Sequence, residues 1–268
     1  MTHYFTSESV TCGHPDKVCD QIADRILDDI LSQDPSAHVA CEVTCATDQV
    51  HIFGEVSTYA QVDYADAARQ VISKIGYTEP GCGFDADSCK ITVDLHEQSP
   101  DIARGVCRKT REEELDNGAG DQGMMFGYAC RETSHYMPLP IELAHALSKR
   151  LEYVRRIGEL PYLRPDGKSQ VTVEYEESVP KRVATVVLSA QHKDTVGTDA
   201  LRNDILNHDS AELLGCHLPC YFIPPQHLNN FTQTLMLIDS RFFGHAALLL
   251  FIADFDIFCR CRFACPFQ

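Results

Sequence analysis

The sequence predicts an α+β fold made of pseudo-symmetric repeats, each ordered strand, helix, hairpin, helix and strand. Two observations support this class. Apolar stripes with a helical period alternate with short segments in which every second residue is apolar. The element order found before residue 100 returns after residue 123, although the second copy lacks an evident closing strand.

These patterns divide the chain into four parts. Residues 1–100 form an N-terminal α+β unit, and 101–123 form a lid loop with a glycine-rich segment. Residues 124–208 form an incomplete central α+β unit, and 209–268 form a tail of different character.

The first helix is predicted to begin at Pro15, because its missing N–H is not needed at the first helical position. His14 then occupies the N-cap. A helix start presents free N–H groups, so His14 and Lys17 beside it indicate an anion or phosphate site. Asp16 suits a metal that bridges to phosphate. The alternative is an ordinary acidic helix cap with a satisfied histidine.

Two alternating segments, 39–45 and 50–56, predict a hairpin with a tight turn near Asp48-Gln49. A two-residue turn there sets Glu42 directly opposite Glu55. Facing carboxylates repel unless a cation or a ligand ammonium compensates them. The alternative is two solvated glutamates on a wet face of the sheet.

The remaining periodic segments complete the two repeats. A long stretch without periodicity, 97–123, separates them, and such a stretch is usually either disordered or functional, a lid that closes over a site being the functional case. The predicted elements are a helix at 63–75 capped by Gly76, strands at 89–95 and 124–130, a helix at 140–157, a turn at 165–168, strands at 171–175 and 183–189, and a helix at 198–207.

Composition limits the function classes. The formal net charge of −16 excludes broad binding to nucleic acid or anionic membranes, but it allows a small anionic ligand in a local positive pocket. The 13 cysteines are scattered, no CxxC occurs, and no secretory signal is visible because no apolar run follows basic residues at the start of the sequence. We therefore expect a reduced, cytoplasmic protein.

The tail shows no clear hairpin or capped helix, so the last strand of the central unit is expected to have an unpaired edge. Its cysteines at 259, 261 and 265, with His245, match no zinc spacing, so a zinc site is rejected.

Five segments, in order and at matching spacing, resemble S-adenosylmethionine synthetase (methionine adenosyltransferase). They are Phe5–Val10 with Gly13–Lys17, Phe84–Cys89, Gln98–Ile102, Gly118–Gly123 and Leu163–Val171. The resemblance implies three similar, intertwined α+β units, of which the third is missing or replaced here. It also implies a homodimer or a dimer of dimers, and transfer of the adenosyl group of ATP to L-methionine with release of phosphate and diphosphate.

The resemblance also implies roles for residues at matching positions. His14 and Lys168 are the expected catalytic residues, with His14 near the breaking C5′–O bond, and Asp121 is expected to line the same site. The lid is expected at Gln98–Arg108. The expected ligand groups are His14, Asp166, Gly167 and Lys168 for ATP; Glu55 and Gln98 for methionine; Asp16 for Mg²⁺; and Glu42 for K⁺.

One part of the family pattern has no counterpart. The family's third unit contains a glycine-rich segment whose lysines and aspartate bind phosphates and a second Mg²⁺. This segment does not occur here, so we expect an impaired enzyme. The alternative is a non-catalytic relative that binds and regulates a full-length synthetase. A third, more distant hypothesis is an unrelated phosphate-binding domain.

Overall fold

The computed structural model of the chain describes residues 1–80, 82–97 and 124–205, together with the strands at 234–240 and 247–253. The chain separates into two compact units. We call Pro15–Ala129 the three-stranded unit, and Met1–His14 with Cys130–Gln268 the five-stranded unit. The α+β class is confirmed, and no described helix has the length and apolar character needed to cross a membrane.

The three-stranded unit packs two helices on one sheet. Its elements are α1 (Pro15–Leu31), β2 (His38–Ala46), β3 (Gln49–Ser57), α2 (Tyr64–Ile75) and β4 (Lys90–His96). The sheet order is β2-β3-β4, with β2 antiparallel and β4 parallel to β3.

The helices form where the apolar periodicity placed them. The predicted stripe of α1 is buried at Val18, Ile22, Ile26 and Ile30, each at most 1% exposed. In α2 the side chain of Asp63 accepts a hydrogen bond from the N–H of Asp66, and Gly76 ends the helix at a φ of 114°. The predicted start of α1 at Pro15 and both predicted limits of α2 are therefore confirmed closely.

The hairpin register differs from the predicted one. The turn consists of Thr47 and Asp48, so Glu42 pairs with Phe53 and Glu55 pairs with Ala40. Asp48 has a φ of 54°, its N–H donates to Gly83 and its carbonyl accepts from Lys90, each at 2.8 Å. These contacts fix the turn one residue earlier and move the pairing by two residues, which leaves every side chain on its predicted face.

The five-stranded unit contains β1 (Thr2–Val10), α3 (Leu139–Arg156), β5 (Leu163–Glu176), β6 (Val179–His192), α4 (Thr198–Ile205), β7 (Thr234–Ser240) and β8 (Ala247–Ala253). The sheet order is β1-β5-β6-β8-β7, and all of these neighbours are antiparallel. The sequence analysis assigned β1 to the N-terminal unit, but β1 pairs here with β5.

Helix α3 covers one face of this sheet. Its buried residues Leu143, Leu147 and Leu151 share a core with Val171 and Val173 of β5. Because β5 alternates buried and half-buried positions, its residues 164, 166, 168 and 170 lie on the opposite face.

Three expectations for this part of the chain are wrong. Residues 124–130 form no strand. The predicted turn at 165–168 lies inside β5, where an irregularity in the pairing with β6 occurs between Leu163 and Gly167. The tail does supply strands: β8 pairs with β6 from Thr185 to Gln191, so the edge expected to be uncovered is paired.

Candidate functional site

The segment that precedes α1 is hydrogen-bonded to the middle of the five-stranded unit. The N–H of Thr11 donates to the carbonyl of Gly167 at 2.9 Å, and its hydroxyl donates to the carbonyl of Pro165 at 2.7 Å. Thr11 is only 4% exposed. These bonds hold residues 11–14 beside the β5 residues that the sequence analysis assigned to ATP.

At Gly13 the two segments lie too close together for a side chain. A Cβ atom built on Gly13 would lie 2.3 Å from Cβ and 2.5 Å from the carbonyl oxygen of Pro165. Only glycine allows this distance, so the identity of residue 13 controls where His14 is placed relative to β5.

His14 acts electrostatically on Asp166. Burial raises the pKa of Asp166 above its usual value, while the charge of His14 and a backbone hydrogen bond from Gly167 act in the opposite direction. The structure therefore brings together two of the predicted ATP residues that are 152 positions apart in the sequence.

Lys168 has a partner that sequence reasoning missed. Its Nζ lies 2.5 Å from Oε2 of Glu8, and both side chains are nearly half exposed. An exposed ion pair of this kind contributes little to stability. Lys168 can therefore exchange Glu8 for an anionic ligand at small cost.

Glu152 of α3 is a second residue that sequence reasoning missed, and it holds the same segment, residues 11–14. Cys12 donates to Oε1 of Glu152 at 3.0 Å, and Glu152 is bound by both Arg155 and Arg156. Burial opposes the ionisation of Glu152, but hydrogen bonds from Arg155 and Cys12 outweigh it and hold its pKa below the usual value. This ionised carboxylate anchors residue 12, two positions before His14.

The three-stranded unit carries the other predicted residues. Asp16 lies in the first turn of α1, which begins at Pro15 as predicted. Glu42 and Glu55 are not directly opposite, but they share one face of the sheet as diagonal neighbours beside Phe53. On the same face β4 places Asp94 beside Phe53 and His96 beside Glu55, and His96 pairs with Asp94 at 3.1 Å.

The described side chains fit the expected Mg²⁺ and K⁺ ions only if a bound substrate supplies further ligand atoms. Among the described residues no group of three histidine, cysteine or carboxylate side chains is arranged to hold a metal ion. Mg²⁺ is commonly held by one or two carboxylates together with substrate phosphates, and Asp16 at a helix start suits that arrangement. Glu42 offers one exposed carboxylate for K⁺.

Some predicted site residues lie outside the described residues. They are Gln98, the lid at 98–108, Asp121 and the glycine-rich segment 118–123. Their assigned roles stay predictions.

The chain matches two family models over most of its length. The model for the N-terminal domain of S-adenosylmethionine synthetase matches residues 2–100, and the model for its central domain matches residues 116–221. The central-domain match thus continues past His208, the boundary set by the sequence analysis.

Individual relatives agree with these matches. An S-adenosylmethionine synthase of Thermosynechococcus vestitus is 58% identical over 203 residues, covering 73% of this chain and 49% of the relative. One of Roseiflexus castenholzii is 52% identical, covering 79% and 55%. One of Clostridium acetobutylicum is 51% identical, covering 90% and 66%. The chain therefore spans about half the length of the first two relatives.

Proposed function

Because this chain belongs to the S-adenosylmethionine synthetase family, we propose that it binds ATP and L-methionine and supports adenosyl transfer to the methionine sulfur, with release of phosphate and diphosphate. The observation that carries the proposal is the attachment of residues 11–14 to β5, which brings His14 and Asp166 within electrostatic reach.

The proposed reaction depends on the alignment of the two substrates more than on covalent catalysis by the protein. A thioether is already a soft nucleophile, so rate enhancement comes from orienting it and from stabilising charge on the departing triphosphate. In our proposal His14 contacts the triphosphate near the C5′–O bond, and Asp166, Gly167 and Lys168 bind ATP. Lys168 exchanges Glu8 for phosphate when the nucleotide binds.

The three-stranded unit supplies the methionine and cation groups of the proposal. Glu55 binds the methionine ammonium together with Gln98, and Glu42 binds K⁺. Asp16 holds Mg²⁺, which when bound to the triphosphate neutralises part of its charge. The shared face of Glu42 and Glu55 supports this assignment, because adjacent carboxylates favour a bound cation or ammonium.

We also propose that the chain forms a homodimer or a dimer of dimers, and that alone it turns over slowly. The triphosphate carries roughly four negative charges, and removal of one well-placed donor commonly costs ~10²–10³ in rate. Among the described residues assigned to ATP, only His14 and Lys168 can offer positive charge to the triphosphate, and the lid cations Arg104 and Lys109 lie outside the described residues. Analytical ultracentrifugation tests the oligomeric state.

The decisive assay measures S-adenosylmethionine formed from ATP, methionine, Mg²⁺ and K⁺ by the full chain, purified free of any host synthetase. Slow, methionine-dependent product formation that Asp166→Asn abolishes supports the proposal. Turnover within about tenfold of a typical ~10 s⁻¹ contradicts the proposed impairment. No product together with no ATP binding contradicts the proposed function.

The same family membership is compatible with one alternative function. In it, the chain is a non-catalytic relative that associates with a full-length synthetase and regulates it. Stable co-purification with a full-length synthetase, and a change in that enzyme's rate, would support the alternative.

A further inference from the structure

One half-buried arginine of the five-stranded unit, Arg164, has buried donor atoms without a partner among the described residues. Two donor atoms of Arg164, Nε and Nη1, are inaccessible to solvent and have no hydrogen-bond partner within the part of the chain that the structure describes. A guanidinium stays ionised in proteins, so these donors are always available. Burying such a group without a partner destabilises the protein.

A buried acceptor without a partner lies on the neighbouring strand. Oε1 of Gln191 is also inaccessible and unpaired among the described residues. In the pairing of β5 with β6, Leu163 faces His192 and Gly167 faces Ala190, so Arg164 to Asp166 bulge opposite Gln191 alone. Bulges of this kind often redirect a side chain beside a functional site.

Arg164 and Gln191 belong to the same face of the sheet. The buried positions are Leu163, Pro165 and Gly167 in β5 and Ala190 and His192 in β6, so Arg164, Asp166 and Gln191, which alternate with them, lie on the opposite face. Asp166 and Lys168 follow Arg164 on that face at every second position. An unsatisfied donor pair and an unsatisfied acceptor therefore lie next to the residues assigned to ATP.

We propose that Arg164 is a further phosphate-binding residue of the ATP site, with Gln191 accepting a hydrogen bond from a hydroxyl of the same nucleotide. This proposal rests on the proposed function. A guanidinium matches phosphate oxygens in a two-point arrangement, and a nucleotide carries both the anion and the hydroxyl that the two groups lack. Phosphate is favoured over a carboxylate because His14 and Lys168 also bring positive charge to this unit.

The proposal predicts opposite effects on stability and on binding. Replacing Arg164 by Met removes two buried donor atoms that have no partner among the described residues, so the ligand-free variant should melt a few degrees higher than the wild-type chain. The same change should weaken binding of Mg²⁺-ATP and of inorganic tripolyphosphate by about 10- to 100-fold, the usual effect of losing hydrogen bonds to a charged group. A purely structural arginine would instead lower the melting temperature.

The experiment titrates the full-length chain with Mg²⁺-ATP, inorganic tripolyphosphate and L-methionine by calorimetry, for wild type, Arg164→Met and Arg164→Lys. Arg182→Met is the matched control, because Arg182 lies on the same sheet and pairs with Glu174 at 2.7 Å. Arg164→Lys should keep the charge and recover part of the affinity, which also covers the case in which Arg164→Met folds poorly.

The outcomes separate this inference from the proposed function. If the wild-type chain binds Mg²⁺-ATP and neither Arg164 variant binds it more weakly than the control, the inference is wrong and the proposed function stands. If Arg164→Met loses methionine but keeps tripolyphosphate, the site takes a carboxylate and the assignment is also wrong. If the wild-type chain binds neither nucleotide nor tripolyphosphate, both this inference and the proposed function are wrong.

Discussion

Gly13 lies so close to β5 that its backbone leaves no space for a side chain. We expect Gly13→Ala to reduce Mg²⁺-ATP affinity by at least about tenfold, because a methyl group 2.3 Å from Cβ of Pro165 must push His14 away from Asp166. Overpacking should also cost about 1–3 kcal/mol of unfolding free energy. Calorimetric titration and urea unfolding measure the two effects.

Gly197→Ala is the control, since no described atom beyond its chain neighbours lies within 4 Å of its added methyl group. Equal effects from both substitutions would contradict the role of Gly13.

Asp34 is a buried carboxylate that ties the end of α1 to the segment after β3. Burial alone would raise its pKa, but hydrogen bonds from Thr58, Ser36 and the N–H of Tyr59 lower it. A lowered pKa stabilises the fold above the pKa of the unfolded chain, and that contribution is lost as the pH falls through the folded value.

We therefore expect Asp34→Asn to melt well below the wild-type chain at about pH 7, with the gap narrowing from about pH 5 to pH 3. In the variant an amide N–H₂ meets the donor N–H of Tyr59, which adds to the loss at neutral pH. Melting followed by circular dichroism across this range checks the prediction. A gap that stays constant with pH would show that the charge of Asp34 contributes nothing.

At the scale of elements, the tail contributes a strand in the interior of a sheet. β8 pairs with β6 on one side and with β7 on the other. Leu249→Pro removes a backbone N–H from this position, so we expect a clear fall in the melting temperature. Leu249→Val keeps the N–H and should change it little. Equal melting of wild type and Leu249→Pro would show that the tail does not complete the sheet in solution.

The elements also show what the sequence can and cannot predict. Apolar periodicity located α1 and α2 because each buries one continuous stripe, and Asp63 and Gly76 marked the ends of α2. The hairpin register was missed because Asp48 is held by Gly83 and Lys90, which are distant in sequence. The turn expected at 165–168 is a bulged strand for a similar reason: its carbonyls are bonded by Thr11.

The residues of the candidate site also divide into those that the sequence predicts and those that it does not. His14, Asp166 and Lys168 stand in motifs that the sequence displays, so they were identified from it. Glu8, Thr11 and Glu152 reach Lys168, Pro165 and Cys12 through contacts between residues more than 130 positions apart, and no local pattern marks such contacts. Arg164 belonged to a recognised motif, but only the burial of its donors indicates a role for it.

At the scale of the whole molecule, the main feature is that β1 completes a sheet formed by the second half of the chain. Because β1 leads directly into residues 11–14, this pairing carries His14 to the β5 residues that follow Leu163. A chain with a net charge of −16 needs such a local concentration of positive groups to attract a triphosphate. The ion pair between Lys168 and Glu8 controls how much of that charge is available.

Calorimetric titration of the full-length chain with Mg²⁺-ATP tests this account most directly. We predict saturable binding by the wild-type chain, about 10- to 100-fold weaker binding by Lys168→Met, and tighter binding by Glu8→Gln, which frees Lys168. Lys181→Met is the control, because Lys181 is a similarly exposed lysine of the same sheet, paired with Glu176 at 3.2 Å. Absence of saturable binding by the wild-type chain, or equal affinity of Lys168→Met and Lys181→Met, would contradict the account.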